Sequence, residues 1–305
     1  MSEPARIVLG LWPIAGITTV GVTREDAKAT IGRAIDAGIR QFDTAYSYGF
    51  DGESDRLLGE FVVHQRDEFH IMGKVGQRWT TDRQRYVDGS PQQLTLDAEE
   101  SLRRLGIDAF DVLFLHSIDP KVPIEVSANA MAELQRRGLC RQIGVCNVTA
   151  NQLGEFNHAV ACRAIQCPLN LVQPDSTGLI ESARAIEAEV YVFWTLMKGL
   201  LAGRIGRDHE FAEGDSRPSY PIFQGELRAS IHDMIDAMRR VGQRTSRTVA
   251  QLSVGWAVSQ PGVQAALVGA RRPEQIEELA ATTSLDSETI DELESLATDA
   301  IKKLT

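Results

Sequence analysis

Short apolar runs that alternate with longer amphipathic segments constrain the fold of this chain more than any other feature of its sequence. Each run is long enough for one strand, and each amphipathic segment is long enough for one helix. This alternation is typical of βα units on a parallel sheet. We therefore predict eight strands, at Ile7–Trp12, Gln41–Ala45, His70–Val75, Val112–His116, Gln142–Asn147, Ala164–Pro168, Val190–Thr195 and Ala265–Gly269.

The segments between these strands contain signals for helix starts. In a capping box, a hydroxyl and a side chain three residues later satisfy backbone N–H groups that a helix start leaves unpaired. Gly38 follows an apolar stripe at helical spacing and suits a helix end. We expect helices to begin at three pairs with this spacing: Thr23 with Asp26, Ser90 with Gln93, and Thr149 with Gln152.

Eight such units fit either a doubly wound open sheet or a closed barrel. A nucleotide-binding open sheet would normally carry G-x-G-x-x-G after its first strand, and the sequence has neither this motif nor a G-x-x-x-x-G-K-[ST] loop. No linker rich in Pro, Gly or Ser divides the chain. We therefore predict an α/β fold, a (β/α)8 TIM barrel, with residues 1–305 as a single domain.

One long irregular segment interrupts the alternation after the seventh strand. Residues 204–224, RIGRDHEFAEGDSRPSYPIFQ, contain Gly, Pro and several charges. Loops of this length inside a compact domain are usually functional lids or disordered segments. We favour a lid.

The composition argues against several classes of function. A net charge of −10 argues against the basic surface that nucleic-acid binding requires, so we expect no nucleic-acid partner. No signal peptide and no apolar stretch of about 18 residues is visible, so we expect a cytoplasmic protein that does not bind membranes. The cysteines lack C-x-x-C spacing, so we expect reduced thiols and no metal site; they are Cys140, Cys146, Cys162 and Cys167.

Polar residues occur at the carboxyl ends of five predicted strands: Asp43, Lys74, His116, Asn147 and Gln166. In a parallel barrel all carboxyl ends face one side, and the loops there build the active site. Any one of these residues could be a satisfied core residue or a strand end that reaches water. Their coincidence at one rim favours a functional site.

These residue types favour proton-transfer chemistry at a carbonyl. A buried lysine ammonium stabilises a nearby tyrosinate, so we expect Lys74 to lower the pKa of Tyr48 from about 10 and make it a usable proton donor. Asp43 would keep Lys74 charged. A histidine N–H at His116 can stabilise the oxyanion that develops as a hydride arrives. The set contains no good nucleophile, which disfavours acyl transfer.

Seven motifs in order resemble the aldo-keto reductase superfamily. "FDTAYSYG" resembles its D-T-A-x-x-Y-G signature, and "MGKVG" and "DVLFLH" resemble the segments that carry its lysine and histidine. "IGVCN", "IQCPLN", "FWTLMKGLLAGR" and "VGARRPEQIEE" resemble its later motifs. The resemblance extends over nearly the whole chain, from about Arg6 to Ala281. It implies a (β/α)8 barrel that interconverts a carbonyl compound, such as an aldehyde, ketone or aldose, and its alcohol by hydride transfer.

The same resemblance assigns roles to individual residues. It makes Tyr48 the general acid or base, Lys74 and Asp43 its tuning pair, and His116 the group that orients the substrate carbonyl. It implies NADP(H), with NAD(H) also possible, in an extended site that the loop at 204–224 covers. The implied cofactor-binding residues are Cys146, Asn147, Gln166, Phe193, Leu196, Gly199, Leu200, Arg204, Gly269, Arg271, Gln275 and Glu278.

Within this site, the resemblance places Arg271 and Gln275 at the adenosine end, where a 2′-phosphate partner favours NADP. The chain departs from the family pattern at several positions. Cys146 replaces a serine and is a weaker donor, while Phe193 retains an aromatic ring without the usual phenol. We therefore expect cofactor affinity to deviate from that of the family.

The sequence indicates the substrate pocket less clearly than the catalytic and cofactor-binding residues. Four aromatic residues lie at or just beyond strand ends and are predicted to line it: Trp12, Tyr46, Trp79 and Trp194. Arg217 of the loop is a further candidate for the pyrophosphate. Two alternatives stay open: an NAD(P)+-dependent aldose or pyridoxal-type dehydrogenase, and a non-catalytic redox-sensing regulatory subunit. The oligomeric state also stays open.

Overall fold

All eight predicted strands lie in one closed parallel barrel in the computed structural model, which describes residues 6–16 and 21–302. In chain order the strands are β1 (Ile7–Gly10), β2 (Gln41–Asp43), β3 (His70–Val75), β4 (Gln77–Trp79), β5 (Arg85–Val87), β6 (Phe110–Leu115), β7 (Cys140–Cys146), β8 (Ala164–Pro168), β9 (Glu189–Phe193) and β10 (Val263–Gly269). Around the barrel the order is β1-β2-β3-β6-β7-β8-β9-β10, and β10 pairs with β1. The predicted barrel is therefore confirmed, apart from residues 1–5, 17–20 and 303–305, which lie outside the description.

Helices surround the barrel: α1 (Arg24–Asp36), α2 (Glu53–Val62), α3 (Pro91–Leu105), α4 (Ile124–Arg136), α5 (Ala150–Ala159), α6 (Thr177–Ala185), α7 (Gly225–Thr245), α8 (Val249–Ser259), α9 (Pro273–Ala280) and α10 (Ser287–Lys302). The capping boxes at Thr23 and Thr149 are confirmed. Helix α3 begins after Ser90 as predicted, but the Ser90 hydroxyl makes no capping hydrogen bond. Pro91 at the first helical position needs no N–H partner there, which reduces the demand for a cap.

The core has two layers, because successive side chains of a strand point to opposite faces. The outer faces of the strands pack against the helices in one large cluster that includes Phe42 and Phe110. The inner faces form a smaller cluster that includes Val8, Met72 and Phe114. Residues that continue the inner series toward the carboxyl ends of the strands therefore meet at one end of the barrel, here called the barrel mouth.

The observed strand ends differ from the predicted ones by a few residues. The prediction that β1 runs to Trp12 was wrong, because Trp12–Ile14 forms a 3₁₀ turn with Pro13, which cannot donate a ladder hydrogen bond. Strand β2 ends at Asp43 rather than Ala45, although the N–H of Thr44 still donates to the carbonyl of Met72 at 2.9 Å. The hairpin of β4 and β5 was not predicted from the sequence.

The segment at 204–224 is folded against the barrel rather than extended. It contains 3₁₀ turns at Arg217–Ser219 and Pro221–Phe223, and both Ile222 and Phe223 are buried. The Phe211 ring packs against Phe223, with ring centroids 5.3 Å apart. These contacts hold the segment in place, and its role as a cofactor lid stays a prediction.

The structure bears on the predictions about the cysteines, membrane spans and metal sites. All four cysteines are free and buried. Residues 6–16 and 21–302 include no helix that could cross a bilayer and no group of three or more His, Cys, Asp or Glu side chains suited to a metal ion. The prediction that there is no signal peptide concerns the amino-terminal stretch, and residues 1–5 of that stretch lie outside the described residues. The cytoplasmic location stays a prediction.

Candidate active site

The two-residue period of the strands brings the predicted catalytic side chains into the barrel mouth. Lys74 lies two residues after the inward-facing Met72, and His116 lies two residues after the inward-facing Phe114. Asp43 follows Phe42, which faces outward, so its carboxylate faces inward. Each of these side chains is therefore on the inner face near the end of its strand, as the sequence predicted.

A buried ion pair lies at the centre of this group. The Lys74 ammonium donates to Asp43 Oδ1 and, at 3.0 Å, to the carbonyl oxygen of Thr44. The Lys74 and Asp43 side chains are only 2% and 1% exposed. Burial is the largest single influence and lowers the pKa of Lys74, but the charge and hydrogen bond of Asp43 and the other neighbouring groups together outweigh it, so the pKa is raised above its usual value. Lys74 is therefore a fixed positive charge at neutral pH.

Gln166 orients the carboxylate of this pair. Its Nε2 donates to Asp43 Oδ2 at 2.6 Å, and its Oε1 accepts from the Cys146 thiol at 3.4 Å. Both residues were predicted from the family resemblance to contact the cofactor. In this structure they form a hydrogen-bonded chain that ends on Asp43, so they support the ion pair directly.

A tight turn after β2 places Tyr48 beside Lys74. The N–H of Tyr48 donates to the carbonyl of Ala45 at 2.9 Å. Gly49 has φ of +97°, and a Cβ there would lie 2.7 Å from the backbone nitrogen of Glu53, so the turn requires glycine. The Lys74 ammonium lies 4.5 Å from the centroid of the Tyr48 ring. The phenol and the ammonium thus share one site, as predicted.

The pKa of Tyr48 differs in direction from the sequence prediction. Burial raises the pKa of the Tyr48 phenol to about 12, and the charge and hydrogen bonding of Lys74 lower it only in part. The predicted net decrease was wrong because desolvation of the charged form outweighs the neighbouring ammonium. Tyr48 is therefore protonated at neutral pH, which is the form that can donate a proton.

His116 completes the group as a neutral imidazole. Its ring centroid is 5.8 Å from that of Tyr48. Burial, the Lys74 ammonium and the Arg85 guanidinium all lower the pKa of His116 well below its usual value. Its Nδ1 is buried without a hydrogen-bond partner among the described residues. Asn147 donates to the backbone carbonyl of His116 at 2.9 Å, which fixes the strand end.

Sequence reasoning missed a second buried carboxylate behind the turn. Asp55 accepts hydrogen bonds from Thr44, at 2.6 Å, and from Ser101, and Thr44 also contacts the Ser54 hydroxyl at 2.7 Å. Burial raises the pKa of Asp55 to about 6. Because the carbonyl of Thr44 accepts from Lys74, this network braces the ion pair from the helix side. The only sequence signal was a serine and an aspartate at the start of α2.

A protein-family model of the aldo/keto reductase family matches residues 6–298. The chain belongs to this family. A curated relative, aldo-keto reductase YhdN of Bacillus subtilis, is 32% identical over 292 residues, which cover 94% of this chain and 88% of that protein. An NADH-specific methylglyoxal reductase of Escherichia coli is 29% identical, covering 92% of this chain and 90% of that protein.

Solved structures agree with the barrel. The structure of the glycerol dehydrogenase AKR11B4 from Gluconobacter oxydans superposes with a TM-score of 0.90 at 28% sequence identity. The match covers 98% of this chain and 93% of the other. The chain is therefore an aldo/keto reductase by family, and its named relatives are oxidoreductases.

The predicted cofactor residues of this aldo/keto reductase lie along one side of the barrel mouth. Phe193 ends β9 and packs at the edge of the inner cluster. The next turn contains Leu196, Gly199 and Leu200, and Gly199 has φ of +94°. Gly269 ends β10, where a Cβ would lie 2.3 Å from the Pro13 ring. Glycine is therefore required at Gly199 by its backbone conformation and at Gly269 by the close approach of Pro13.

Charged residues follow at the start of α9. Gln275 accepts hydrogen bonds from the backbone N–H groups of Arg271, at 2.8 Å, and Arg272, at 3.2 Å, and so caps this helix. Arg204 forms an ion pair with Glu278 at 2.6 Å, and both line an open cleft of about 550 Å³. These predicted cofactor residues are therefore neighbours in space.

The arginines near this helix start differ in their pairing. Arg272 pairs with Asp26, and Arg217 of the 204–224 segment pairs with Asp215. The half-buried Arg271 guanidinium has no ion-pair or hydrogen-bond partner within residues 6–16 and 21–302. Burial and the Arg217 charge both lower the pKa of Arg271. An unpaired guanidinium in this position is suited to an anion.

The four predicted pocket aromatics do not play one common role. Trp12 contacts Tyr48, with ring centroids 5.1 Å apart, and Trp79 donates from Nε1 to the carbonyl of Ser47 at 2.9 Å. Trp194 is 41% exposed beside the 204–224 segment. Tyr46 instead lies between two arginines, Arg78 and Arg104, whose guanidinium carbons are 4.9 and 4.7 Å from its ring centroid.

Proposed function

We propose that this protein is an NADP(H)-dependent reductase that interconverts a small aldehyde, ketone or aldose and the corresponding alcohol, with Tyr48 as general acid and base. The observation that carries the proposal is the position of the Lys74 ammonium, 4.5 Å from the Tyr48 ring and paired with Asp43. A purely structural ion pair would not need a phenol and a neutral imidazole at the same barrel mouth.

Each of these residues has a defined task in carbonyl reduction. Tyr48 is protonated at neutral pH and donates its proton to the carbonyl oxygen as negative charge develops there. The Lys74 ammonium then stabilises the tyrosinate that remains, and Asp43 holds Lys74 in place. Neutral His116 donates a hydrogen bond to the same oxygen and stabilises the oxyanion. In alcohol oxidation the tyrosinate takes the proton back.

A nicotinamide cofactor fits the residues on the other side of the mouth. Such a cofactor supplies the hydride for the carbonyl carbon, and aldo/keto reductases as a family use nicotinamide cofactors. Phe193 offers a ring for stacking, and the turn at Leu196–Leu200, where Gly199 has φ of +94°, is proposed to run beside the pyrophosphate. Asn147 and Gln166 are proposed to hold the carboxamide through the donor hydrogens that their present hydrogen bonds leave available.

Arg271 supports NADP over NAD. Its guanidinium has no ion-pair partner among the described residues and lies next to the start of α9, where the positive end of the helix dipole favours a phosphate. Arg204, Gln275 and Glu278 are proposed to lie around the adenosine end. The NADH-specific relative from Escherichia coli keeps NAD(H) open as a second cofactor.

Steady-state kinetics test the proposal. The purified protein is mixed with NADPH or NADH and a panel of aldehydes, ketones and aldoses, and in the reverse direction with NADP+ and alcohols, while absorbance at 340 nm is followed. Turnover by the wild type in either direction is expected. The alternative of a redox-sensing regulatory subunit predicts cofactor binding without turnover.

The tyrosine variant assigns the proton donor. Tyr48→Phe is expected to lower kcat more than about a hundredfold with little change in cofactor affinity, because general acid catalysis contributes roughly 10²–10⁴-fold. The matched control is Tyr86→Phe, which removes an exposed phenol from the β4–β5 hairpin. A Tyr48→Phe protein that keeps most of its activity removes Tyr48 from this role.

A further inference from the structure

The β4–β5 hairpin adds an arginine to the barrel mouth. Trp79 in β4 and Arg85 in β5 are directly opposite each other in this antiparallel pair. Directly opposed residues of a two-stranded ribbon have their side chains on the same face. The hairpin therefore carries the Arg85 guanidinium beside the Trp79 indole, at the edge of the proposed substrate site.

The Arg85 guanidinium is held between two indole rings. Its central carbon lies 4.8 Å from the ring centroid of Trp12 and 4.7 Å from that of Trp79. Stacking on aromatic faces fixes the plane of a guanidinium and leaves the N–H groups along its edge available for hydrogen bonds. No carboxylate or other acceptor in the described part of the chain takes up these N–H groups.

The same rings connect Arg85 to the reacting groups. Trp12 contacts the Tyr48 ring at 5.1 Å, and Trp79 donates to the carbonyl of Ser47, the residue before Tyr48. The charge of Arg85 also contributes to the low pKa of His116. One indole, Trp12, therefore contacts both the Arg85 guanidinium and the ring of Tyr48, so a small molecule that spans this indole would reach both groups.

The neighbouring arginine of the hairpin shows that this placement is specific. The Arg83 guanidinium carbon lies 4.4 Å from the centroid of the Phe50 ring, which in turn contacts Trp79 with ring centroids 5.1 Å apart. Of these two arginines of the described hairpin, only Arg85 lies over the Trp12 ring and contributes to the lowered pKa of His116. Of Arg83 and Arg85, Arg85 is thus the one that lies against Trp12, the indole that contacts Tyr48.

We propose that Arg85 binds an anionic group of the substrate, a carboxylate or a phosphate, and so directs this enzyme toward small carbonyl compounds that carry a negative charge. This proposal rests on the proposed function for its reaction and on Arg85 for its selectivity. The overall charge of −10 would repel such substrates, so a local cation at the site has a clear purpose. A planar guanidinium can bind either anion through two parallel hydrogen bonds.

Direct binding is the first test, because it does not depend on turnover. Glycerol 3-phosphate and succinate, and glycerol and 1,4-butanediol as their neutral counterparts, are titrated into the protein by calorimetry. We expect at least one anion to bind roughly tenfold or more tightly than its neutral counterpart, and Arg85→Met to abolish that difference. Met keeps an unbranched stem between the two indoles, and Arg83→Met is the matched control.

Kinetics provide the second test, with matched substrates. Glyceraldehyde 3-phosphate is compared with glyceraldehyde for the phosphate, and 4-oxobutanoate with butanal for the carboxylate. Arg85→Met is expected to lower kcat/KM for the preferred anionic substrate roughly 10- to 100-fold, mainly through KM, with less than a twofold effect on the neutral one. Arg85→Lys should recover part of the loss, and added salt should weaken the preference of the wild type.

The outcomes separate this proposal from the proposed function. A response with phosphate alone, or with carboxylate alone, supports the proposal and identifies the anion. Equal losses on charged and neutral substrates, or no preference in the wild type, overturn it while leaving the reductase function intact. A wild type that reduces no carbonyl contradicts the proposed function, and the binding measurement then decides the role of Arg85 by itself.

Discussion

Asp43→Asn is the variant that tests the electrostatics of the site most directly. In the wild type, Asp43 supplies the charge that keeps the Lys74 ammonium protonated at 2% exposure. The substitution preserves shape but removes that charge, so burial becomes the dominant influence and should depress the pKa of Lys74. Breaking one side of a buried ion pair typically costs about 3–5 kcal/mol.

An independent limit on this cost follows from the lysine itself. The folded variant can avoid a buried charge by releasing the proton of Lys74. At pH 7 that release costs about 4.6 kcal/mol for a lysine whose unfolded pKa is about 10.4. We therefore expect the free energy of unfolding of Asp43→Asn to be lower by about 3–5 kcal/mol at pH 7, because the release of the Lys74 proton limits the loss.

The sign of the pH dependence provides a sharper check. With Lys74 neutral, the folded variant binds one proton fewer than its unfolded state, so its stability rises by about 1.4 kcal/mol per pH unit below the unfolded pKa. In the wild type the pKa of Lys74 is raised, so both states keep the proton between pH 7 and 9 and no such slope arises. The difference between the two proteins should shrink by about 2.7 kcal/mol over this range.

Urea denaturation followed by tryptophan fluorescence at pH 7, 8 and 9 measures these quantities. The control Asp36→Asn removes an exposed carboxylate at the end of α1 and is expected to change stability by less than about 0.5 kcal/mol. The double variant Asp43→Asn with Lys74→Met should recover most of the loss. A loss below about 1 kcal/mol at pH 7, or one that stays constant to pH 9, would refute the reasoning.

Three further predictions concern the phenol, the cofactor and the barrel. Because burial holds the pKa of Tyr48 at about 12, kcat/KM for carbonyl reduction should stay level from pH 6 to 9 and decline only as the phenol deprotonates; a decline centred near pH 7 would contradict this pKa. Arg271→Ala should weaken NADP+ binding by roughly tenfold or more and NAD+ binding far less. The control is Arg272→Ala, which should show no such contrast because Arg272 is already paired with Asp26 in the wild type. Calorimetric titration measures both affinities, and equal weakening of NADP+ and NAD+ by Arg271→Ala would show that Arg271 does not bind the 2′-phosphate. Gly144→Ala places a Cβ 2.4 Å from the carbonyl oxygen of Ala164 and should lower the free energy of unfolding by about 1–3 kcal/mol. Gly154→Ala, at a position of helix α5 with open space around it, should raise the free energy of unfolding by about 0.5–1 kcal/mol. Urea denaturation measures both, and a change of the same sign in the two variants would contradict the prediction.

The barrel was predictable from the sequence because each βα unit carries its signals within a short stretch of the chain. An apolar run, a cap such as Thr23 or Thr149, and a helical stripe lie within a few residues of one another. Strand ends were less predictable. Thr44 continues the hydrogen-bond ladder beyond β2, whereas Pro13 stops it after β1, and these outcomes depend on the neighbouring strands as well as on the residues.

The members of the site were also predictable, because the two-residue period of a strand and the common direction of parallel strands place Asp43, Lys74 and His116 at one end. The pKa values and desolvation of the site residues were not predictable from the sequence. The pKa of Tyr48 depends on how deeply the phenol is buried relative to the Lys74 charge, and burial is a property of the whole fold. The same holds for the carboxylate of Asp55 behind the turn.

By itself, the sequence determined the α/β barrel, the family motifs and the strand-end positions of Asp43, Lys74 and His116, since these follow from local periodicity and from residue type. Only the tertiary structure decided which of these groups touch, which are desolvated and which charges lack a partner. Arg85 illustrates the difference: nothing in its local sequence distinguishes it from Arg83, yet the hairpin sets Arg85 between two indoles beside Tyr48. Contacts between residues far apart in the chain are fixed by packing, because the chain closes on itself only when the barrel forms.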